Sequence, residues 1–92
     1  MGFASALVTD TEHCYQCQSP YVDRHHCVPG IGRQASEKYK FVVPLCRFHH
    51  QGIHDGEEPE LDMHLKQLSQ RYYELHIGCR DEFIKEFGRS YL

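Results

Sequence analysis

Two ligand pairs, two β-rich stretches and a helical C-terminal part predict a small α+β domain stapled by a metal ion. The pairs, Cys14-Tyr15-Gln16-Cys17 and Cys46-Arg47-Phe48-His49, share one x-x spacing. The β-rich stretches begin at Tyr21 and at Tyr39, and each leads toward histidines. Beyond residue 57 the apolar residues recur at helical spacing. With 92 residues, a hydrophobic core alone gives only about 3–5 kcal/mol, so a metal or disulfide staple is expected.

Residues 1–12 show no strong period and read as a loose lead-in. Cys14 to Pro20 forms a tight turn carrying two thiols. Tyr21 and Val22 favour a strand that approaches His25 and His26, and Pro29, Gly30 and Gly32 end it. Tyr39 to Cys46, rich in β-branched and aromatic residues, makes the second strand, with Pro44 acceptable near its end or on an edge. A short helix follows Cys46 to about His54, stopped by Asp55-Gly56. A longer helix enters at Pro59 and ends before Gly78, with Leu61, Leu65, Leu68, Tyr72 and Leu75 as its apolar stripe. A last helix presents Phe83, Ile84 and Phe87 and closes at Gly88. No repeat, low-complexity segment or linker interrupts this order. Residues 1–92 read as one domain, with the metal core at 13–56 and a helical extension at 57–92.

The five cysteines are an odd number, and Met1 to Thr9 lacks the basic start and long apolar run of a secretory leader. The chain reads as cytoplasmic, with reduced thiols that suit metal better than disulfides. No run approaches the roughly 20 apolar residues of a membrane span. The net charge of −3 does not suggest a nucleic-acid partner, but its distribution does. Arg24, Arg33, Lys38, Lys40 and Arg47 face one acid, Glu37, between residues 24 and 54, and are candidate phosphate contacts. The acidic run from Asp55 to Asp62 reads as a solvated loop and helix start.

Zinc takes four tetrahedral sulfur or nitrogen ligands, and a C-x-x-C turn brings two thiolates to one ion. Cys14 and Cys17 are such a pair, and Cys46 with His49 supplies the second, giving Cys3His. Four protein ligands close the shell and leave no place for water, so this zinc is structural. A thioredoxin-like redox pair at Cys14 and Cys17 would need a surrounding βαβ pattern, which is lacking.

His25, His26, His50 and His54 are left over. His50 and His54, four apart on a helix, share a face and can share an ion. His25 and His26 are neighbours on a strand, so a regular strand turns only one toward that pair. A bend before Pro29 would let one bind the ion while the other reaches a substrate beside it. Phosphodiester hydrolysis needs this division: a cation for the developing charge and a base with a pKa near 7. The plain alternative is a set of exposed polar side chains. Cys27, Cys79, His13, His64, His76, Tyr72 and Tyr73 read as structural or merely exposed.

The segments "CYQC", "HHCVP" and "LCRFHH", in that order and at these separations, resemble the zinc-bound HNH, or ββα-metal, endonucleases. The resemblance implies a treble-clef-like ββα-metal core with two added C-terminal helices and a metal-dependent activity that hydrolyses or nicks DNA. By its alignment Cys14, Cys17, Cys46 and His49 hold structural zinc. His25 takes a metal-ligand place, His26 that of the general base, and His50 that of the closing ligand. The histidine arrangement also resembles the metal site of colicin nucleases, which makes His54 a third ligand. Magnesium or manganese is usual in the family, while an all-histidine set also suits nickel, cobalt or zinc. The chain is further similar to short HNH-like proteins of phages and prophages of Gram-positive bacteria. That implies DNA as partner, together with a phage or host recombination, packaging or defence protein. The family's middle asparagine, which braces the base, has no counterpart in "KYKFVVPL"; Lys40 or a backbone carbonyl would have to replace it. The competing reading is a non-enzymatic, zinc-stabilised adaptor that binds nucleic acid or protein in phage recombination or against a host system.

Overall fold

The computed structural model describes residues 3–92 as a small α+β structure with a two-stranded sheet and four helices. The elements are β1 (Val22–His26), a 3-10 turn (Gly30–Gly32), α1 (Arg33–Tyr39), β2 (Val42–Cys46), α2 (Arg47–His54), α3 (Pro59–His76) and α4 (Arg80–Phe87). Among the described residues no helix is long and apolar enough to cross a membrane.

The strands pair antiparallel from Val22 opposite Cys46 to His26 opposite Val42. The pairing continues past β1, where the Cys27 N–H donates to Phe41 O at 2.9 Å. The segment between the strands, to which the sequence patterns assign no helix, contains α1. Ala35, Glu37 and Lys38 are good helix formers, and Lys40 stops the helix in the left-handed region at φ 62°. Ser36 ties α1 to the end of β1. Its hydroxyl is buried, accepts from the Val28 N–H at 3.3 Å and donates to Val28 O at 3.0 Å.

β2 is buried throughout, and its outer edge is covered by the N-terminal segment, which is therefore not a loose lead-in. The Ser5 hydroxyl donates to Val42 O at 2.7 Å, the Tyr15 N–H to Pro44 O at 2.8 Å, and the Ala6 N–H to Lys40 O at 2.9 Å. Carbonyls on a buried edge need donors, and this segment supplies them. Pro44 fits here because a residue's N and C=O share one edge. It withholds a donor from the outer edge and none from the ladder with β1.

Phe41, Leu45, Leu65, Phe83 and Phe87 fill the core, with Phe83 stacked on Phe87 at 4.4 Å between ring centroids and Phe87 on Phe41 at 5.7 Å. The buried face of α3 departs from the expected stripe. Leu61 and Leu65 are buried as expected, but farther along it is Ser69, Gln70 and Tyr73 that face inward, while Leu75 is 78% exposed. The cause is the return of α4 and the C-terminal residues. Tyr73 donates to Glu86 at 2.6 Å, and Gln70 bonds Ser90 at 3.0 Å and the Tyr91 N–H at 2.6 Å. These contacts cover the side of α3 away from Leu75.

Replacing Ser36 by Ala strips a partner from both Val28 backbone groups, each buried against α1. The expected loss is about 1–3 kcal/mol of stability, measured as a lower urea midpoint with unchanged slope.

Candidate metal centres

Both candidate centres form where β2 runs into α2. Cys46 caps the helix in extended conformation, so its side chain leaves the sheet beside the Cys14–Cys17 turn. The turn is held by hydrogen bonds from the Cys14 N–H to Ser19 O at 2.8 Å and from the Gln18 N–H to Cys14 O at 2.9 Å. Cys14, Cys17 and Cys46 form one group whose sulfurs lie within 4.8 Å of one another. The Cys17 and Cys46 sulfurs are 3.7 Å apart, whereas two thiolates ~2.3 Å from one tetrahedral zinc stand about 3.8 Å apart.

The electrostatics of Cys14 and Cys17 favour a cation. Burial raises the Cys14 pKa, but backbone N–H groups of Cys46, Cys17 and Gln16 outweigh it and bring the thiol down to about 7. At Cys17 the Ser19 backbone N–H favours the thiolate, yet desolvation and the neighbouring Cys14 and Cys46 sulfurs prevail and push it up. Thiolates this close discourage one another's ionisation, and a shared divalent ion removes that penalty. The group can therefore hold a metal ion, and its donor set suits zinc.

His49, expected as the fourth ligand, lies outside that group. Its Nδ1 instead meets both carboxylate oxygens of Glu58, at 2.8 and 3.0 Å. Gly52 makes room for this contact: a Cβ there would stand 2.7 Å from a Glu58 oxygen. Of the expected Cys3His set the three thiols are gathered, while His49, one turn along α2, has its Nδ1 held by Glu58 and its Nε2 left for a metal.

The second group is His25, His50 and His54, again within 4.8 Å of one another. The i, i+4 geometry of α2 sets the His50 and His54 Nε2 atoms 3.2 Å apart. Two nitrogens ~2.1 Å from one ion at octahedral or tetrahedral angles stand about 3.0–3.4 Å apart. His25 comes from β1 and is 2% exposed, and its Nε2 is buried with no hydrogen-bond partner. Burial first, then the nearby His50 and His54, lower its pKa to about 3. A neutral imidazole with an unpartnered nitrogen beside two others fits a divalent ion.

Two carboxylates complete the surroundings, Asp23 and Glu37, and the sequence motifs assign a site role to neither. Asp23 accepts from His50 Nδ1 at 3.1 Å and from Arg47 Nε at 3.0 Å. These two contacts, His50 first, hold the Asp23 carboxyl below the usual range. A ligand histidine bonded in this way keeps its orientation and tautomer. The alternation of Asp23 with His25 on one strand face was the available signal. Glu37 on α1 bonds Arg24 and, at 2.8 Å, His26 Nε2. Arg24 first and then His26 draw its carboxyl down to about 2. Glu37 reaches His26 only through α1, a helix too short to show a periodic pattern in the sequence.

No bend is needed to divide the two adjacent histidines. β1 remains regular, with His25 among the α2 histidines and His26 bonded to Glu37 on α1. Both nevertheless line one cleft of about 480 Å³, with Arg24, Arg33, Pro29, Gly30, His50 and His54. Of the five expected phosphate contacts, only Arg24 and Arg33 line it. Arg47 is engaged by Asp23, Lys40 lies 3.7 Å from Glu37, and Lys38 lies 3.6 Å from Glu86 and over the Tyr39 ring. Cys27 is no ligand of either group: it sits in the core, where burial pushes its thiol up to about 12. His13 pairs with Asp10, His64 with the Tyr15 hydroxyl, and His76 lies against Tyr72. Comparison with family models, curated proteins and solved structures finds no match to this chain.

Two outcomes are expected from metal analysis by native mass spectrometry. Cys17→Ser or Cys46→Ser should lose one metal equivalent and unfold, since a structural zinc held there would contribute on the order of 10 kcal/mol or more; a folded, metal-free variant would contradict this. The double substitution His50→Ala, His54→Ala should keep that equivalent, remain folded and lose the second.

Proposed function

We propose that this chain is an HNH-type, metal-dependent DNA endonuclease of phage or prophage origin, built on a zinc-stabilised ββα-metal core with two added helices. The observation that carries the reading is the cleft. It joins a three-histidine group, a separate histidine held by a carboxylate, and two arginines. Phosphodiester hydrolysis needs these groups together, and a purely structural metal domain has no use for the last three.

In this mechanism a divalent ion bound by His25, His50 and His54 would neutralise charge on the scissile phosphate and the departing oxygen. Asp23 keeps His50 turned toward the ion by holding its Nδ1. Arg33, lining the cleft, attracts the phosphate, and Arg24 combines cleft charge with its bond to Glu37. His26 accepts the proton of the attacking water. Cys14, Cys17 and Cys46 hold zinc, with His49 proposed to close the shell through Nε2 while Glu58 holds Nδ1. The zinc fixes the start of α2 and hence the place of His50 and His54. The all-histidine set admits manganese, nickel, cobalt or zinc as well as magnesium. DNA is the proposed partner, alongside a recombination, packaging or defence protein of phage or host.

The test is nicking of supercoiled plasmid with each of these ions. The wild type should nick in a metal-dependent manner, and His26→Ala should lower the rate by about 10²- to 10⁴-fold. No metal-dependent nicking, or equal nicking by the variant, leaves the zinc-stabilised adaptor as the better reading.

A further inference from the structure

The His26 contact on α1 carries more than the presence of a base. Glu37 uses both oxygens: one accepts from the Arg24 guanidinium, the other from His26 Nε2 at 2.8 Å. The Lys40 ammonium lies 3.7 Å from the first oxygen, so two cations hold the carboxylate in its ionised form. An ionised carboxylate only accepts hydrogen bonds. The proton in the 2.8 Å contact therefore belongs to the histidine, and the neutral ring is the Nε2–H tautomer. Its lone pair is then on Nδ1.

We infer that the proton acceptor of the reaction is Nδ1 of His26, and that Glu37 is the positioning residue that assigns this atom and holds the ring at the cleft. The inference rests on the nuclease reading. It supplies what the absent family asparagine left open, and supplies it from a side chain on α1 rather than from Lys40 or a backbone carbonyl. Arg24 belongs to the same brace, so its loss acts through Glu37 as well as through the phosphate.

The step balances without a further reactant. The water oxygen forms a bond to phosphorus while its proton passes to His26 Nδ1. The bond from phosphorus to the departing oxygen breaks with its electron pair, and that oxygen takes a proton from solvent. The imidazolium, still bonded to Glu37 through Nε2, then returns its extra proton to water. During the step the fixed negative charge of Glu37 stabilises the imidazolium, as an orienting carboxylate does in other histidine bases.

Two measurements test this. Long-range proton–nitrogen NMR of the His26 ring in the zinc-loaded protein should find Nε2 protonated and Nδ1 bare, and Glu37→Ala should change that signature. Single-turnover nicking should fall about 10- to 100-fold in Glu37→Ala, with DNA affinity and the two metal equivalents unchanged. Glu37→Gln should recover part of the rate, because its amide oxygen can still accept from Nε2–H. A wild type that nicks while its His26 carries the proton on Nδ1 overturns the inference alone. So does a Glu37→Ala variant that nicks at the wild-type rate, or one whose whole loss is in DNA affinity or metal content. A wild type that does not nick overturns the nuclease reading and takes the base role with it.

Discussion

The register of β1 against β2 is the constraint on which the arrangement of the histidines depends. His25 stands opposite Val43 and His26 opposite Val42, with Cys46 at the far end opposite Val22. Strand side chains alternate, so a slip of one residue would exchange the two histidines. His26 would then enter the group with His50 and His54, and His25 would meet α1. Burial fixes the register: β2 is closed from solvent along its whole length, and the Ser5, Ala6 and Tyr15 contacts pin its outer edge.

Around this pairing the two strand faces are served by different helices. On one, Asp23 and His25 meet α2, and Asp23 holds a ring nitrogen of His50. On the other, Arg24 and His26 meet α1 through Glu37. Each face thus has one carboxylate bonded to one histidine and one arginine. The pattern separates an imidazole that can bind an ion from one that cannot share it, although the two residues are consecutive in the chain. Both faces reach the same cleft because it opens at the end of β1, where Pro29 and Gly30 turn the backbone away.

The joint at Cys46 and the pattern of α2 were legible in the sequence because they are local. C-x-x-C spacing, His at i and i+4, and a helix stopped at Asp55-Gly56 need no knowledge of distant residues. Phe83, Phe87 and the entry of α3 at Pro59 were legible for the same reason. What escaped depended on contacts between distant segments. α1 is seven residues long, too short for a periodic signal, and Glu37 was hidden with it. Leu75 fits the apolar stripe of α3, but the side of the helix that is buried was decided by Gln70 and Tyr73 meeting the C-terminal residues. The N-terminal segment lacks any period because it answers to the carbonyls of β2. His49 reads from its spacing as a ligand, while its Nδ1 answers to Glu58 through the space left by Gly52.

The strap of residues 5–15 along β2 also decides how this sheet can meet other chains. A two-stranded sheet ordinarily has two open edges, each a template for strand addition and for aggregation. Here the apolar strand is the one whose edge is already occupied. Among the described residues no strand pairs with the outer edge of β1, which reads Val-Asp-Arg-His-His, and charge along an edge disfavours the flat, dry stacking that fibrils require. The protein therefore keeps its apolar strand inside and leaves at the rim of the sheet the one that carries charge.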